Sequence, residues 1–443
     1  MQPIAIDPLE QRSCTIPDSV GVFNLLTDDR FFDTVEEHLP CHRERRYPPT
    51  QTLAMFVSQV LSDDRSCQRA VDEHIARCLA HGIRPPSSST SAFCEARQRL
   101  PLELVTQLAM QVALCAREIC STTADEEQPV LLIDGTSISM PDTESNQEAF
   151  PQTNSQALGC GFPQARMVAT VCAITGVVVD AHLGACKGKG SDELTAMRAL
   201  LERADSGSIV VGDALYESYF TWVALAQTDC QSVFEISGSR ALPRKVPRRV
   251  CIERSERPKW MTSEMYSATP KTVDLRVVTV PRKHHHVTYL ITSLLDEERW
   301  PDSAIRKLYA RRWDIEVDFR SIKEALGGGI LSCKSPEMIE KELWIHLLGY
   351  NIIRLLGCEA AAMVRCAPRE ISFRHTQQMW SAWILFGVPT DEHSWKTLLK
   401  RIAQKRVRSR PDRCEPRAVK RRPKPRALLT QPRQVARAAC QRP

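Results

Sequence analysis

The sequence predicts a mixed α+β protein, and three observations lead there. Residues 1–125 carry apolar side chains at three- and four-residue spacing, the pattern of amphipathic helices. Beyond them, short apolar and β-branched runs alternate with helical stretches, which calls for a sheet packed by helices. The far end is basic, rich in Pro and poor in large apolar residues, a composition that favours disorder. The chain thus divides into a helical N-terminal region (1–125), a sheet-centred region (126–360) with a β-rich insertion at about 220–300, a helical region (361–405) and a basic tail (406–443).

Composition bounds the function. The chain has 443 residues, of which 43% are hydrophobic and 25% charged, as expected of a soluble globular protein with a sizeable core. No apolar run reaches the length of a membrane span, and Met-Gln-Pro-Ile-Ala-Ile-Asp lacks the basic and apolar regions of a signal peptide. No membrane partner is expected, and the location is cytoplasmic. The 17 cysteines are scattered, without Cys-x-x-Cys or Cys/His spacing for zinc, which favours reduced thiols. The net charge of +6 hides an asymmetry: from Lys400 onward 16 Lys/Arg oppose only Asp412 and Glu415, leaving the preceding residues acidic. A polyanion is the natural partner for such a tail, although a merely solvated tail has the same composition.

In the N-terminal region, helices are expected at Val20–Leu26, Phe31–Leu39, Thr52–Leu61 with Thr50 as N-cap, and Ser66–Leu79. After Pro85-Pro86-Ser-Ser-Ser-Thr-Ser comes a short helix, Ala92–Leu100, that carries Arg97, Gln98 and Arg99. It reads either as the second helix of a helix-turn-helix unit, with Arg97 and Arg99 toward DNA, or as an ordinary surface helix. A long helix over Leu102–Ile119 leads out of the region.

The central region opens with Pro129-Val-Leu-Leu-Ile-Asp134, a continuous apolar run closed by an acid, as in a strand buried on both faces. A hairpin is expected from Met167–Ile174 and Val177–Leu183 around Thr175-Gly176, then a helix over Asp192–Arg203. Ser208-Ile-Val-Val-Gly-Asp213 is a second short run ending in an acid. Strand, hairpin, helix, strand is the order of an RNase H-like layered fold. Aspartates often close strands as turn formers. Asp134 and Asp213, however, follow runs that bury their backbone, where a carboxylate needs water, a cation or a metal. Asp142, Glu144 and Asp180 are local competitors.

Between Asp213 and Glu316 lie 102 residues, more than one connection needs. They alternate like sheet at Ser232–Ser237, Arg249–Glu253, Val273–Val280 and Val287–Ser293, with a basic loop, Arg240–Arg249, that suits phosphates. His284-His-His286 is read as a hairpin tip rather than a metal site, since no acids or cysteines flank it.

The segment Tyr309–Lys323 then sorts into faces at about 100° per residue. Tyr309, Arg312, Glu316 and Lys323 share a stripe about 60° wide, beside an apolar stripe of Leu308, Ile315, Phe319, Ile322 and Leu326. Asp314 and Asp318 point away from it, and Gly327–Gly329 ends the helix. One acid among phosphate-binding groups suits metal-assisted phosphoryl chemistry. An amphipathic helix with a solvated Arg312–Glu316 pair carries the same residues. Past the glycines, Glu337–Leu356 is a strong helix.

The pattern Tyr-x2-Arg-x3-Glu-x6-Lys, with Trp313 directly after the Arg, resembles the signature of the insertion-sequence-four family of DDE transposases. The resemblance implies that Asp134, Asp213 and Glu316 form a metal-binding catalytic triad for two Mg²⁺ ions, with Mn²⁺ as a substitute. It implies that Tyr309, Arg312 and Lys323 contact DNA, and that the β-rich insertion lies between the second and third acids. It further implies metal-dependent cleavage of double-stranded DNA at transposon inverted repeats, strand transfer into target DNA, and a homodimer in the DNA complex. A DNA-binding remnant without catalysis and a nuclease without strand transfer are the alternatives. In one place the chain departs from the family: Ala214 follows the second aspartate where many relatives carry a basic residue.

Overall fold

The computed structural model describes residues 46–121, 128–154, 157–186, 193–237, 246–281, 287–385, 392–407 and 430–440. The helices expected at residues 20–39, the His284–His286 tip and most of the basic loop and tail lie outside the described residues.

Four helices open the described chain: α1 (Pro49–Leu61), α2 (Cys67–Ala80), α3 (Ser91–Arg99) and α4 (Leu102–Ser121). Helix α1 begins at Pro49 rather than behind a Thr50 cap, because Pro is pre-organised for the first helical position and needs no amide partner there. Helix α2 has a side-chain cap: the Ser66 hydroxyl accepts from the Arg69 amide.

The sheet has eight strands in the order β3-β2-β1-β4-β5-β8-β7-β6. Strand β1 (Val130–Ser139) pairs antiparallel with β2 (Gln164–Cys172), and β2 pairs with β3 (Val178–Ala185) around the turn at Gly176. Helix α5 (Glu144–Ala149) lies between β1 and β2 in the chain. After α6 (Glu193–Leu201), β4 (Ile209–Gly212) joins β1 in parallel. After α7 (Tyr219–Gln227), β5 (Gln231–Glu235) joins β4 in parallel. The remaining strands, β6 (Arg249–Glu253), β7 (Thr272–Pro281) and β8 (Val287–Thr292), extend the sheet, with α8 (Ser263–Ala268) between β6 and β7. The residues expected as an insertion therefore continue the central sheet, and β5 lies directly beside the strand that leads to Asp213.

Helices cover both faces. On one face α4 and the long helix α11 (Pro336–Val364) pack against Leu132, Val211, Val233 and Ala169. On the other, α6 and α7 pack against Ile133, Val210 and Phe234. Each buried strand thus feeds two cores, which is why these runs are continuously apolar instead of alternating. Helix α11 is long and apolar enough to cross a membrane, yet 78% of its apolar window is buried inside the protein. It is the central helix of the core. Its Asn351 accepts from the Val178 amide (2.8 Å) and donates to the carbonyls of Val178 and Ala109 (2.9 Å each), joining β3, α4 and α11.

The signature segment is not one helix. Helix α9 (Asp302–Ala310) stops at Arg311, α10 (Arg312–Arg320) follows, and a π-turn (Ser321–Ala325) closes the run. Beyond α11 come a 3₁₀ turn (Pro368–Glu370), α12 (Phe373–Leu385) and α13 (Glu392–Ala403). In the tail expected to be disordered, Arg433–Cys440 forms a short helix, α14. Three alanines in eight residues and Pro432 just ahead explain it.

Candidate active site

Asp134 lies within β1, not at its end, but where the parallel ladder to β4 stops. The last described pairs are Val130–Ile209, Leu131–Val210 and Leu132–Val211, and two residues farther on come Asp134 and Asp213. Because strand periodicity is two, both acids share the face of Leu132 and Val211. Asp213 leaves the strand and turns, its Oδ1 accepting the Leu215 amide at 2.8 Å. Gly212 allows that exit, since a Cβ there would lie 2.9 Å from Ile133 Cγ2 and from Tyr216 Cδ2.

Helix α10 lies over the same face, with Ile315 and Phe319 buried in the core. Glu316 points out of that packing, 43% exposed, with Arg312 Nη1 3.6 Å from its Oε1. The Arg312 guanidinium rests 4.2 Å above the Trp313 ring, and its buried Nε has no hydrogen-bond partner among the described residues. The π-turn carries Lys323 back to β1, where Nζ donates to Thr136 Oγ1 at 3.1 Å. The site thus gathers Asp134, Thr136, Asp213, Arg312, Glu316 and Lys323.

The charges of the site act on one another. The Asp134 carboxyl is pushed up to about 6, chiefly by burial and further by the negative charges of Asp213 and Glu316. The Gly135 amide at 2.7 Å and the Arg312 guanidinium act against that rise. Even so, no group of three His, Cys, Asp or Glu among the described residues is close enough to hold a metal ion as it stands.

Two residues expected to face DNA are buried instead. Tyr309 is 3% exposed, and its hydroxyl donates to Glu235 at the end of β5. Burial, followed by that carboxylate, raises the phenol's pKa. Arg97 is 5% exposed and does not project from the surface. It lies 3.9 Å over the Phe56 ring and reaches the sulfurs of Cys67 (2.8 Å) and Cys333 (3.1 Å). Arg97 sits at i+4 from Phe93 and three residues before Leu100, on the apolar stripe of its helix, so it goes inward. Arg99 is exposed, 3.8 Å from Glu95.

The competing acids serve local structure. Asp180 is buried, pairs with Arg203 at 2.7 Å and accepts its neighbouring Ala181 amide. Asp142 accepts from Gln147 at 2.8 Å, and Glu144 sits in the first turn of α5. Two acids that the sequence does not single out, Glu235 and Glu193, lie near the site, and a third, Asp318, which points away from the stripe, is buried. Glu235 is the partner of Tyr309. Glu193 approaches Gly135 from the opposite face of the sheet and bonds Arg166 and Tyr216. Asp318, on α10 itself, is completely buried.

Comparison with known proteins gives the family. The family model described as a transposase DDE domain matches residues 125–352. The transposase InsG for insertion sequence element IS4 of Escherichia coli (strain K12) is 25% identical over 393 residues, covering 86% of this chain and 87% of that protein. The solved piggyBac transposase synaptic complex with hairpin DNA is 10% identical, with a TM-score of 0.43, covering 91% of this chain and 88% of that one. With the domain model spanning more than half of its length, this chain belongs to the DDE transposases, of the insertion-sequence-four type.

Proposed function

We propose that this DNA transposase cleaves the inverted repeats of its element and joins them to target DNA, using Asp134, Asp213 and Glu316 on an RNase H-like core. The observation that carries the reading is that two aspartates follow the last pairs of the parallel strands β1 and β4, under the helix bearing Glu316, with the charges of Asp213 and Glu316 adding to the burial that raises the Asp134 pKa. The strand order β3-β2-β1-β4-β5, with helices on both faces, supports the core assignment.

The donor set fits a hard divalent cation. Three carboxylates supply oxygen ligands, and their mutual repulsion is what a bound cation relieves. Asp134, Asp213 and Glu316 would hold two Mg²⁺ ions, or Mn²⁺ in their place, which activate the attacking oxygen and stabilise the leaving one. The remaining work belongs to the protein. Arg312, with a buried unpartnered Nε, and Lys323, braced on Thr136, hold phosphate oxygens beside the acids. A water oxygen attacks the phosphorus, the bond to the 3′-oxygen breaks, and the strand is left with a 3′-hydroxyl. That hydroxyl attacks a phosphorus of the target, loses its proton to solvent and releases a target 3′-hydroxyl. The N-terminal helices, through exposed Arg99, and the basic tail bind flanking duplex. A homodimer brings two ends together.

The test is Mg²⁺-dependent cleavage of DNA bearing the flanking inverted repeats, with Asp134→Ala, Asp213→Ala and Glu316→Gln alongside. Cleavage at the ends that disappears in each variant is expected, and retained cleavage in any one removes that residue from the triad. Adding a target plasmid separates strand transfer, which gives joined products, from a nuclease, which gives none.

A further inference from the structure

We propose that Asp318 is a positioning residue: its buried carboxylate, clamped by Arg354 and Arg369, sets the rotation of α10 about its axis and so aims Glu316. The inference rests on the reading of Glu316 as a metal-binding acid.

Helix α10 has nine residues between the turn at Arg311 and the π-turn after Arg320, and the backbone stays right-handed helical through both junctions. Ile315 and Phe319 hold the helix down, but apolar packing is non-directional. Directional contacts come from Asp318, which has no solvent exposure. Its Oδ1 accepts from Arg354 Nη2 (2.6 Å), the Tyr350 hydroxyl (2.9 Å) and Arg369 Nη1 (3.2 Å), and its Oδ2 from Arg369 Nη2 (2.9 Å).

The clamp is itself anchored. Tyr350 and Arg354 belong to the 29-residue α11, and Arg354 Nε also bonds the Tyr350 hydroxyl at 2.8 Å. Arg369 reaches the carbonyls of Ala173 (2.5 Å) and Cys172 (3.2 Å), where β2 ends, and β2 pairs with the strand that carries Asp134. Room for the cluster depends on Gly176, at φ +77°, where a Cβ would sit 3.1 Å from the Arg354 guanidinium and 3.3 Å from Asp318 Oδ1. One carboxylate thus ties α10 to α11, to the 3₁₀ turn and to the sheet.

Two residues along an α-helix differ by about 200°, so Asp318 grips one side while Glu316 works on the other. The carboxylate of Glu316 lies about 6 Å from the helix axis, so a roll of about 20° moves it by about 2 Å. That displacement is as long as a metal–oxygen bond. A loose clamp therefore costs ion binding before it costs the fold of the core.

The test measures Mn²⁺ binding to the DNA-free protein by electron paramagnetic resonance, and the Mg²⁺ concentration for half-maximal cleavage, in Asp318→Asn and Arg369→Lys. Arg369→Lys keeps the charge and loses the fork. We expect Mn²⁺ affinity to fall at least tenfold in Asp318→Asn, severalfold in Arg369→Lys, with the half-maximal Mg²⁺ rising in parallel. A merely structural role lowers the folded fraction but leaves both metal constants of the folded protein unchanged, and that result overturns the proposal. If Asp318→Asn does not fold, Arg369→Lys decides alone by the same criterion. Glu316→Gln is the reference: should it leave Mn²⁺ affinity intact, the metal reading of Glu316 fails, whereas loss there with unchanged clamp variants defeats only the positioning role of Asp318.

Discussion

Two groups on α11 set opposite pH dependences of stability, and removing either one exposes the other. Burial pushes the Glu359 carboxyl up from an ordinary 4.5 to about 7, against a hydrogen bond from Trp395. Burial also pulls the His346 imidazole down from 6.5 to about 4. Glu359 is raised relative to the unfolded chain, so it costs nothing below pH 4.5 and increasingly more up to pH 7. His346 is depressed, so it costs nothing above pH 6.5 and increasingly more down to pH 4. Each slope is about 1.4 kcal/mol per pH unit, and each full penalty is about 3 kcal/mol, somewhat less for Glu359, which keeps partial solvent contact. Between pH 4.5 and 6.5 one penalty grows as the other shrinks, so their sum is nearly flat. Urea unfolding at half-unit steps from pH 4 to 8 separates them. The stability of Glu359→Gln relative to wild type should rise by about 2–3 kcal/mol between pH 4.5 and 7 and then level off. The stability of His346→Gln relative to wild type should rise by about 3 kcal/mol as pH falls from 6.5 to 4, above a constant packing cost. Differences that do not change with pH would refute the assignment of these groups as buried and titrating.

The remaining predictions concern the site and helix α3. Gly212→Ala places a Cβ 2.9 Å from Ile133 and Tyr216 side-chain atoms, so it should cost about 1–3 kcal/mol in urea unfolding and slow cleavage by displacing Asp213; wild-type stability and rate would show that the strand end yields freely. Arg97→Ala should lower stability by removing a buried guanidinium from Phe56, Cys67 and Cys333, whereas Arg99→Ala should leave stability alone and weaken DNA binding in filter retention. The reverse pattern would return Arg97 to the DNA interface.

What the sequence made legible follows from the reach of its signals. Asp134 and Asp213 stand out in the sequence because an apolar run closed by an acid says that a carboxylate sits where a buried strand surfaces. Ser232-Val-Phe-Glu235 carries the same signal, and Glu235 duly lies beside the site, bonded to Tyr309. It was read only as a strand of the insertion, since nothing local says that β5 lies next to β4. Arg97 was misplaced for a different reason. Its position relative to Phe93 and Leu100 already put it on the apolar stripe, but a guanidinium is expected outside unless partners for it can be named. Those partners, the Cys67 and Cys333 thiols and the Phe56 ring, are remote in sequence. Asp318 reads from the sequence only as pointing away from the stripe, because the guanidiniums that hold it, Arg354 and Arg369, lie 36 and 51 residues downstream. The stripe of Tyr309, Arg312, Glu316 and Lys323 assumed one unbroken helix. In the structure Tyr309 stays beside Arg312 but buries its hydroxyl on Glu235, while Lys323 beyond the turn to π-helix still reaches the sheet.

Arg276, Tyr309, Asp318 and Lys323 have distinct mechanical duties along this run. The run from Asp302 to Ala325 is pinned at its start by the fully buried Arg276 of β7, which bonds Asp302 and, at 2.6 Å, the Trp300 carbonyl. At its end it is pinned by Lys323 on Thr136, two residues from Asp134. Tyr309 ties α9 to β5, and Asp318 ties α10 to α11 and to the end of β2. The extra strands β6–β8 thereby acquire a role beyond spacing. They widen the sheet so that β7 can hold the first turn of α9, while β1 holds the π-turn. Glu316, carried on that run, is held from both ends by the sheet whose strands lead to Asp134 and Asp213.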